Sequence, residues 1–312
     1  MTKRIAILGA SSGIAGDLIL WLVRQAGVTL HLFVRRPKQM LDWLRQHSIG
    51  DQAQVESYQT FGEGAKYFAV INFVGVGDPI RALSMGAEIL DLTYKFDSLA
   101  LKYVLRHPSC RYIFTSSGAA YGSRFEAPAN EKSHATFPLN ELGKIDWYGM
   151  AKAYAECRHR AHSELPIVDI RIFNYISETQ NLSAGFLVTA AIRAIRDQTV
   201  LMTSADRAVR DYLHANDFCA LIDAILGAPP QNDVIDCYSN APIEKTDLLS
   251  ALQEAFGLRY EVLPFQTQIN ATGYKPCYYS LNRRASEFGY KPKYTSLEGI
   301  FAATRVMLAS SE

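Results

Sequence analysis

The run "RIAILGASSGIAGDLILWLVRQAG", residues 4 to 27, limits the possible folds more than any other stretch. A continuous apolar strand ends in a loop of glycine, alanine and serine, and a helical pattern opens directly from that loop and closes at Gly27. The same rhythm continues. "VTLHLFV", "YFAVINFVGV", "RYIFTSS" and "IVDIRIF" read as buried strands, with helical stretches such as "PIRALSMGAEILDLTYKFDSLALKYVLRH" and a helix from about Trp147 to His162 between them. Strands that alternate with helices pair in parallel through right-handed crossovers, so the expected fold class is α/β with a doubly wound parallel sheet. After Asn174 the alternation weakens. Helices are expected near 185–196, 216–227 and 244–256, with a turn at "TSADRAVRDYLH", a strand at "VIDCYS", and loops at "GAPPQND" and "QTQINATGYKP". The expected division is a Rossmann domain of residues 1–173 with about 208–240, and a smaller, discontinuous C-terminal domain of about 174–207 and 241–312.

With 312 residues, 48% apolar and 20% charged, the chain can bury a large core. A formal net charge of +1 with no basic run argues against a nucleic-acid partner. "DLILWLVRQAG" is broken by Asp17 and Arg24, and "FAVINFVGVG" is too short to span a bilayer, so no membrane partner is expected. The first residues lack the charged, apolar and cleavage-site series of a signal peptide. Cys110, Cys157, Cys219, Cys237 and Cys277 are scattered without a CxxC pair. That pattern reads as free thiols in a reducing cytoplasm and offers no metal site.

The loop "GASSGIAG" sits where a dinucleotide fingerprint belongs, between a first strand and a first helix. Small residues let the backbone approach a pyrophosphate, and the helix N-terminus presents N–H groups and a positive dipole end. The second strand bears on the choice of nucleotide. It runs into Arg35 and Arg36, with no carboxylate before Asp42 to take a ribose 2′-hydroxyl. Arginines there can pair with a 2′-phosphate and favour NADP(H); the other reading is a solvated arginine pair with NAD as cofactor.

Further along, "IDWYGMAKAYAE" places Tyr148 and Lys152 four apart, on one helix face. A half-buried tyrosine on a surface helix would look the same. As an acid–base pair, the phenol would have to move from near ~10 to about 7, and one ammonium about 4 Å away supplies roughly that much at an effective dielectric near 20. Lys152 is therefore expected to lower the Tyr148 pKa. "FTSSGAAYG" ends a strand about thirty residues upstream and offers the Ser117 hydroxyl at a strand's C-terminal end.

Taken in order, the fingerprint, "TSSGAAYG", "YGMAK", "RIFN" and "RDYLHANDF" resemble the extended short-chain dehydrogenase/reductase family, also called the NAD-dependent epimerase/dehydratase family. The resemblance runs from residue 3 to about 302 and closes in "SLNRRASEFGYKPKYTSLEGI". It implies that Ser117 holds the substrate oxygen, Tyr148 exchanges the proton, and Lys152 lowers the tyrosine pKa and bonds the nicotinamide ribose. The implied cofactor set is Gly9, Ser11, Ser12, Gly13, Ile14, Arg35, Arg36, Val74, Gly75, Lys152 and Phe173. The implied substrate set is Ser117, Asn174 and Arg210, with a nucleotide sugar as substrate and a homodimer as assembly. Two positions depart from the pattern. Ala10 takes the first small position of the loop, and the arginine that the family often carries shortly before its closing segment has no match here, where Lys275 is the nearest cation.

Among reactions, 4,6-dehydration needs an Asp-Glu pair after the hydroxyl residue, where this chain has Gly118 and Ala119. The expected activity is NADPH-dependent reduction of a 4-keto-6-deoxy nucleotide sugar. The alternatives are a nucleotide-sugar 4-epimerase with tightly held NAD, and a non-catalytic NADP(H)-sensing regulator. His214 is expected to make a structural hydrogen bond, Cys110 and Cys157 to pack, and Glu131 to order its loop. Of the three tryptophans, only Trp147 stands where it could touch substrate.

Overall fold

The computed structural model describes residues 2–263 and 275–309. Its elements run β1 (Lys3–Leu8), α1 (Gly13–Leu22), β2 (Val28–Val34), α2 (Pro37–Gln46), β3 (Ala53–Ser57), β4 (Ala69–Asn72), α3 (Pro79–Met85), α4 (Glu88–Arg106), β5 (Arg111–Ser117), α5 (Trp147–Arg160) and β6 (Ile167–Ile172). There follow β7 (Asn174–Ile176), α6 (Leu187–Arg196), β8 (Val200–Ser204), β9 (Val209–Arg210), β10 (Tyr212–His214), α7 (Ala215–Gly227), β11 (Asp233–Asp236), β12 (Ile243–Glu244), α8 (Lys245–Phe256), β13 (Arg259–Leu263), β14 (Cys277–Tyr278) and α9 (Ser296–Ala309).

Seven strands form one sheet in the order β11-β6-β5-β4-β1-β2-β3, and every pair is parallel. The chain reverses its direction of travel between β1 and β4, so the ligand crevice of such a sheet opens there, at the strands' C-terminal ends. Buried strand residues alternate between two cores. Ile5, Ile7, Ala69 and Ile71 face the layer of α1 and α7, while Ala6, Leu8, Val70 and Phe114 face the layer of α4 and α5. A sheet covered on both faces explains why its strands read as near-continuous apolar runs. The remaining strands form small sheets, β10-β7, β12-β9-β14 and β13-β8, around a core of Ile176, Ile192, Leu248, Leu252 and Ile300. Among the described residues no helix is long and apolar enough to cross a membrane, and no cluster of metal-ligating side chains occurs.

Several boundaries differ from the sequence reading, each for a local reason. The long helical stretch from Pro79 divides at Gly86, whose φ of 55° ends α3 before α4 begins. The strand expected to run to Val76 stops at Asn72, because the Asn72 side-chain oxygen accepts the Val74 N–H at 2.9 Å and turns the chain. "AQVES" is a strand despite its polar residues, since it pairs at the sheet edge with β2. The expected turn at 203–214 contains β9 and β10, two strands too short to carry a periodicity. Most of the loop "QTQINATGYKP" lies outside the described residues.

Candidate active site

Ser117, Tyr148 and Lys152 converge at the C-terminal end of β5. Ser117 closes that strand and is buried, and its Oγ accepts the Ala119 N–H at 3.2 Å. The next residues form a tight turn, Gly118–Tyr121, on which α5 rests. Gly149 permits this contact, and Gly118 lets the Phe173 ring lie against the turn. A Cβ on Gly149 would stand 2.4 Å from the Ala119 carbonyl oxygen, and one on Gly118 would stand 2.4 Å from the Phe173 ring. Replacing Gly149 with Ala therefore forces helix and turn apart. The expected result in chemical denaturation is a destabilisation of about 1–3 kcal/mol, and an activity loss should accompany it because Tyr148 is the adjacent residue.

Lys152 is 4% exposed, and its Nζ donates to the Thr115 carbonyl at 2.7 Å. The ammonium also lies 4.6 Å from the centre of the Phe114 ring and 6.0 Å from that of Tyr148. Burial pushes this lysine down to about 8, while Glu156, Asp97 and Asp169 oppose the shift. A Cβ on Gly75 would press on Nζ at 3.3 Å, so the loop after β4 stays bare to admit the lysine.

The expected depression of the tyrosine pKa is not what the resting site shows. Burial pushes the Tyr148 phenol up, and a hydrogen bond with Ser117 pulls the other way. The lysine ammonium is bonded to the Thr115 carbonyl, with its Nζ 6.0 Å from the centre of the Tyr148 ring. The resting phenol is therefore neutral.

The chain also meets the geometric needs of a dinucleotide. Gly9 adopts φ 76°, and a Cβ on it would collide with Val74 N at 2.8 Å, so the loops after β1 and β4 touch at the crevice. Gly13 has nothing within 4 Å of its would-be Cβ, which leaves open space at the start of α1. Ser11 is exposed, Ile14 half-buried, and the Ser12 hydroxyl caps the helix on the Ala15 N–H. Gly16, the last small residue of the loop, faces the Trp43 ring and serves the packing of α1 on α2. Arg35 and Arg36 are exposed at the end of β2 and make no ion pair among the described residues. Asp42 is occupied, bonded to Arg45 at 2.7 Å.

Three further residues reach Ser117 or the space before it. Tyr278, from β14, brings its Oη to 3.2 Å from Ser117 Oγ. Lys275 Nζ lies 4.6 Å from the centre of the Tyr278 ring, and the Arg210 guanidinium carbon lies 5.9 Å from it. Lys275 is buried and pushed down to about 8, by burial first and by Arg210 second, while Asp146 opposes. Asp146, which opens α5, is also buried: its Oδ2 accepts the Gly143 N–H at 2.9 Å, and Oδ1 has no partner among the described residues. Two desolvated cations beside one ring favour an anionic ligand. Neither Tyr278 nor Asp146 was expected from sequence. The only hint of Tyr278 was a tyrosine pair ahead of the closing segment.

The other expected residues divide. Val74 lies beside Gly75 in the crevice loop. Phe173 joins Phe125, Ala129 and Tyr278 in an apolar cluster that walls the site. Asn174 donates to the Asp211 carbonyl at 3.1 Å, and Arg210 to the Val209 carbonyl at 2.9 Å. His214 is structural: it caps α7 by accepting the Asn216 N–H at Nδ1, and its Nε2 lies 3.4 Å from Glu178. Cys110 is buried, its thiol pushed up to about 12. Cys157 does not pack as expected; it is exposed on α5, on the side turned away from the sheet. Glu131 does not order its loop either. It is exposed and unbonded among the described residues, and Asn130 and Ser133 make the turn. Trp147 packs with Val76, Ile89 and Ala151.

The crevice with its glycine loop, and the Ser117, Tyr148 and Lys152 set beside it, define a nicotinamide-dinucleotide enzyme of the extended short-chain dehydrogenase/reductase class. The model of the NAD dependent epimerase/dehydratase family matches residues 5–237, and the chain belongs to that family. It is similar in fold to the UDP-glucuronic acid 4-epimerase of Bacillus cereus solved with UDP-glucuronic acid and NAD (TM-score 0.78, 15% identity, 98% of this chain and 99% of that one). Similar folds occur in the dTDP-glucose 4,6-dehydratase of Bacillus anthracis solved with NAD (TM-score 0.76, 17% identity, 98% and 96%) and the UDP-glucose 4-epimerase of Thermotoga maritima solved with UDP-glucose (TM-score 0.78, 17% identity, 99% and 100%). At such identities the likeness establishes fold alone. No curated protein sequence matches the chain.

Proposed function

We propose that the protein is an NADPH-dependent reductase of a keto nucleotide sugar, of the 4-keto-6-deoxy type. The carrying observation is the end of β2, where Arg35 and Arg36 stand exposed and unpaired among the described residues and the next carboxylate along the chain, Asp42, is engaged by Arg45. A guanidinium pair there matches a 2′-phosphate and leaves a bare ribose without its usual acceptor.

A nicotinamide held in the crevice would supply the hydride. The chain's own residues handle the oxygen. Ser117 Oγ and Tyr148 Oη donate hydrogen bonds to the ketone oxygen as negative charge builds on it, a stabilisation larger in the transition state than in the ground state. Tyr148 then gives up its proton, and the ketone becomes an alcohol. A phenol held neutral by burial is suited to this direction of transfer. Lys152, whose ammonium lies 6.0 Å from the centre of the Tyr148 ring, would stabilise the phenolate left behind. Lys275 and Arg210 would hold the sugar nucleotide's diphosphate, and residues 174–207 with 241–312 would form the part that grips the substrate. The reading includes a homodimer through α4 and α5, supported by Tyr94 and Tyr154, which stack at 6.2 Å and remain about half exposed.

Denaturing the purified protein and identifying the released nucleotide by mass spectrometry tests the cofactor. NADP(H), or an empty protein that binds NADPH and not NADH, is the expected result. Stoichiometric NAD would overturn the reading in favour of an epimerase that recycles its cofactor.

A further inference from the structure

The three strands at one end of the main sheet lie in the order β1-β2-β3, and the residues that follow their C-terminal ends are Gly9, Arg35 and Tyr58. Register makes the alignment explicit: Leu8 pairs with Phe33, and Val34 with Ser57. Gly9 therefore follows the end of β1, Arg35 the end of β2, and Tyr58 the end of β3. Neighbouring strands are about 4.8 Å apart, so β1 and β3 are separated by the full width of β2. The Tyr58 side chain nevertheless bridges them, because its Oη accepts the Gly9 N–H at 3.1 Å. Its ring thus passes across the end of β2, just where Arg35 leaves the strand.

The ring is held in place. It lies 4.6 Å from Phe96 of α4, and the residue is half-buried. The oxygen serves as an acceptor, and among the described residues its own proton has no acceptor. Burial pushes the phenol up, with the Arg35 guanidinium pulling the other way, so the hydroxyl stays protonated and lies within the field of that arginine. A rigid donor, its oxygen accepting from the glycine loop and its proton without an acceptor among the described residues, is thus placed within the field of a guanidinium that makes no ion pair among them.

We propose that Tyr58 is a specificity-determining residue for the cofactor: its hydroxyl donates to the adenosine 2′-phosphate, which it shares with Arg35. The proposal rests on the NADP(H) reading above and extends it to a residue outside the β2 end. It also accounts for a tyrosine immediately after β3 that reaches back over a strand instead of turning into solvent.

Isothermal titration of 2′,5′-ADP and 5′-ADP into the wild type and Tyr58→Phe separates the two ideas. Wild type is expected to favour 2′,5′-ADP by tenfold or more. In Tyr58→Phe that preference should fall by about tenfold, the loss expected for one hydrogen bond to a charged group, with 5′-ADP affinity kept within about twofold. The 31P resonance of the bound 2′-phosphate gives a second readout. Its pKa, near ~6 when free, should lie lower on the wild type than on the variant. An unchanged preference overturns the role of Tyr58 while leaving the NADP(H) reading intact. Equal changes in both ligands overturn it too, and confine the phenol to holding the Gly9 N–H. A wild type that binds both ligands equally removes the NADP(H) reading, and this proposal with it.

Discussion

Tyr148→Phe is expected to lose about 10²–10⁴-fold in turnover, the range general acid catalysis supplies, while NADPH affinity stays within about twofold. The substitution removes only the hydroxyl. The ring keeps its place on α5, where Trp147 packs with Val76 and Ile89 and Gly149 seats the helix on the turn after Ser117. Lys152 keeps its bond to the Thr115 carbonyl, so the cofactor side of the site is untouched. Ser117 remains as a donor to the substrate oxygen, but it cannot replace the proton that the ketone must gain. Steady-state reduction of a 4-keto-6-deoxy sugar nucleotide, followed by NADPH absorbance, together with a fluorescence titration of NADPH, reads both quantities. Turnover retained in the variant would sink the assignment of Tyr148 as proton donor.

His159→Gln is expected to be the most destabilising of these changes, at about 3–5 kcal/mol, the cost of breaking a buried charged pair from one side. His159 is fully buried on α5, with Nδ1 2.6 Å from Asp169 and Nε2 2.7 Å from Asp97. Arg160 and Arg158 bind the outer oxygens of the same two carboxylates, and the Tyr112 hydroxyl donates to Asp97. This network ties α4, α5 and β6 together directly behind the Lys152 end of the site. Burial works against the imidazolium, but the two aspartates outweigh it and push His159 up to about 9. A group whose folded pKa is raised stabilises the protein fully below its unfolded value, near ~6.5, and that contribution fades as pH climbs through 9. Between pH 6.5 and 8 the wild type should lose about 2 kcal/mol from this source. Lys152 and Lys275, both held near 8, act in the opposite direction from about pH 7 upward, where the unfolded chain binds more protons, and together return up to about 1 kcal/mol of that loss by pH 8. Urea denaturation at pH 6.5, 7.2 and 8 should therefore show a falling stability in wild type and a flat or slightly rising one in His159→Gln. Equal slopes in the two proteins would rule out a charged His159.

The two regions of the chain differ in how much of their structure can be read from sequence. In the dinucleotide half, β1, α1, β2, β5, α5 and β6 are all legible, because a sheet buried on both faces demands long apolar runs and its crossover helices demand a 3.6-residue period. The glycine loop is legible for a related reason: only residues without bulk allow the contact at Gly9. Beyond Asn174 the strands have two to five residues each, too few for a pattern to stand above chance, and their pairing depends on neighbours far away in sequence. The isolated link from Ala129 to Ser280 is of this kind.

Inside the site the division is finer. The sequence by itself determined the doubly wound class, through its alternation of apolar runs and helical patterns, and the family, through the order of its motifs along the chain. The Ser117, Tyr148 and Lys152 set is an expectation of that resemblance, and local strand-end and helix-turn spacing made it legible. Only the tertiary structure decided the electrostatics. That Tyr148 rests as a neutral phenol follows from burial by distant elements, and the position of Lys152 follows from the Thr115 carbonyl. Tyr278 lies 161 residues from the serine it bonds, and Tyr58 lies 49 from the glycine whose N–H it holds. Spacing along a chain describes which groups share an element, whereas desolvation and charge act through space, so their balance exists only once the elements have packed.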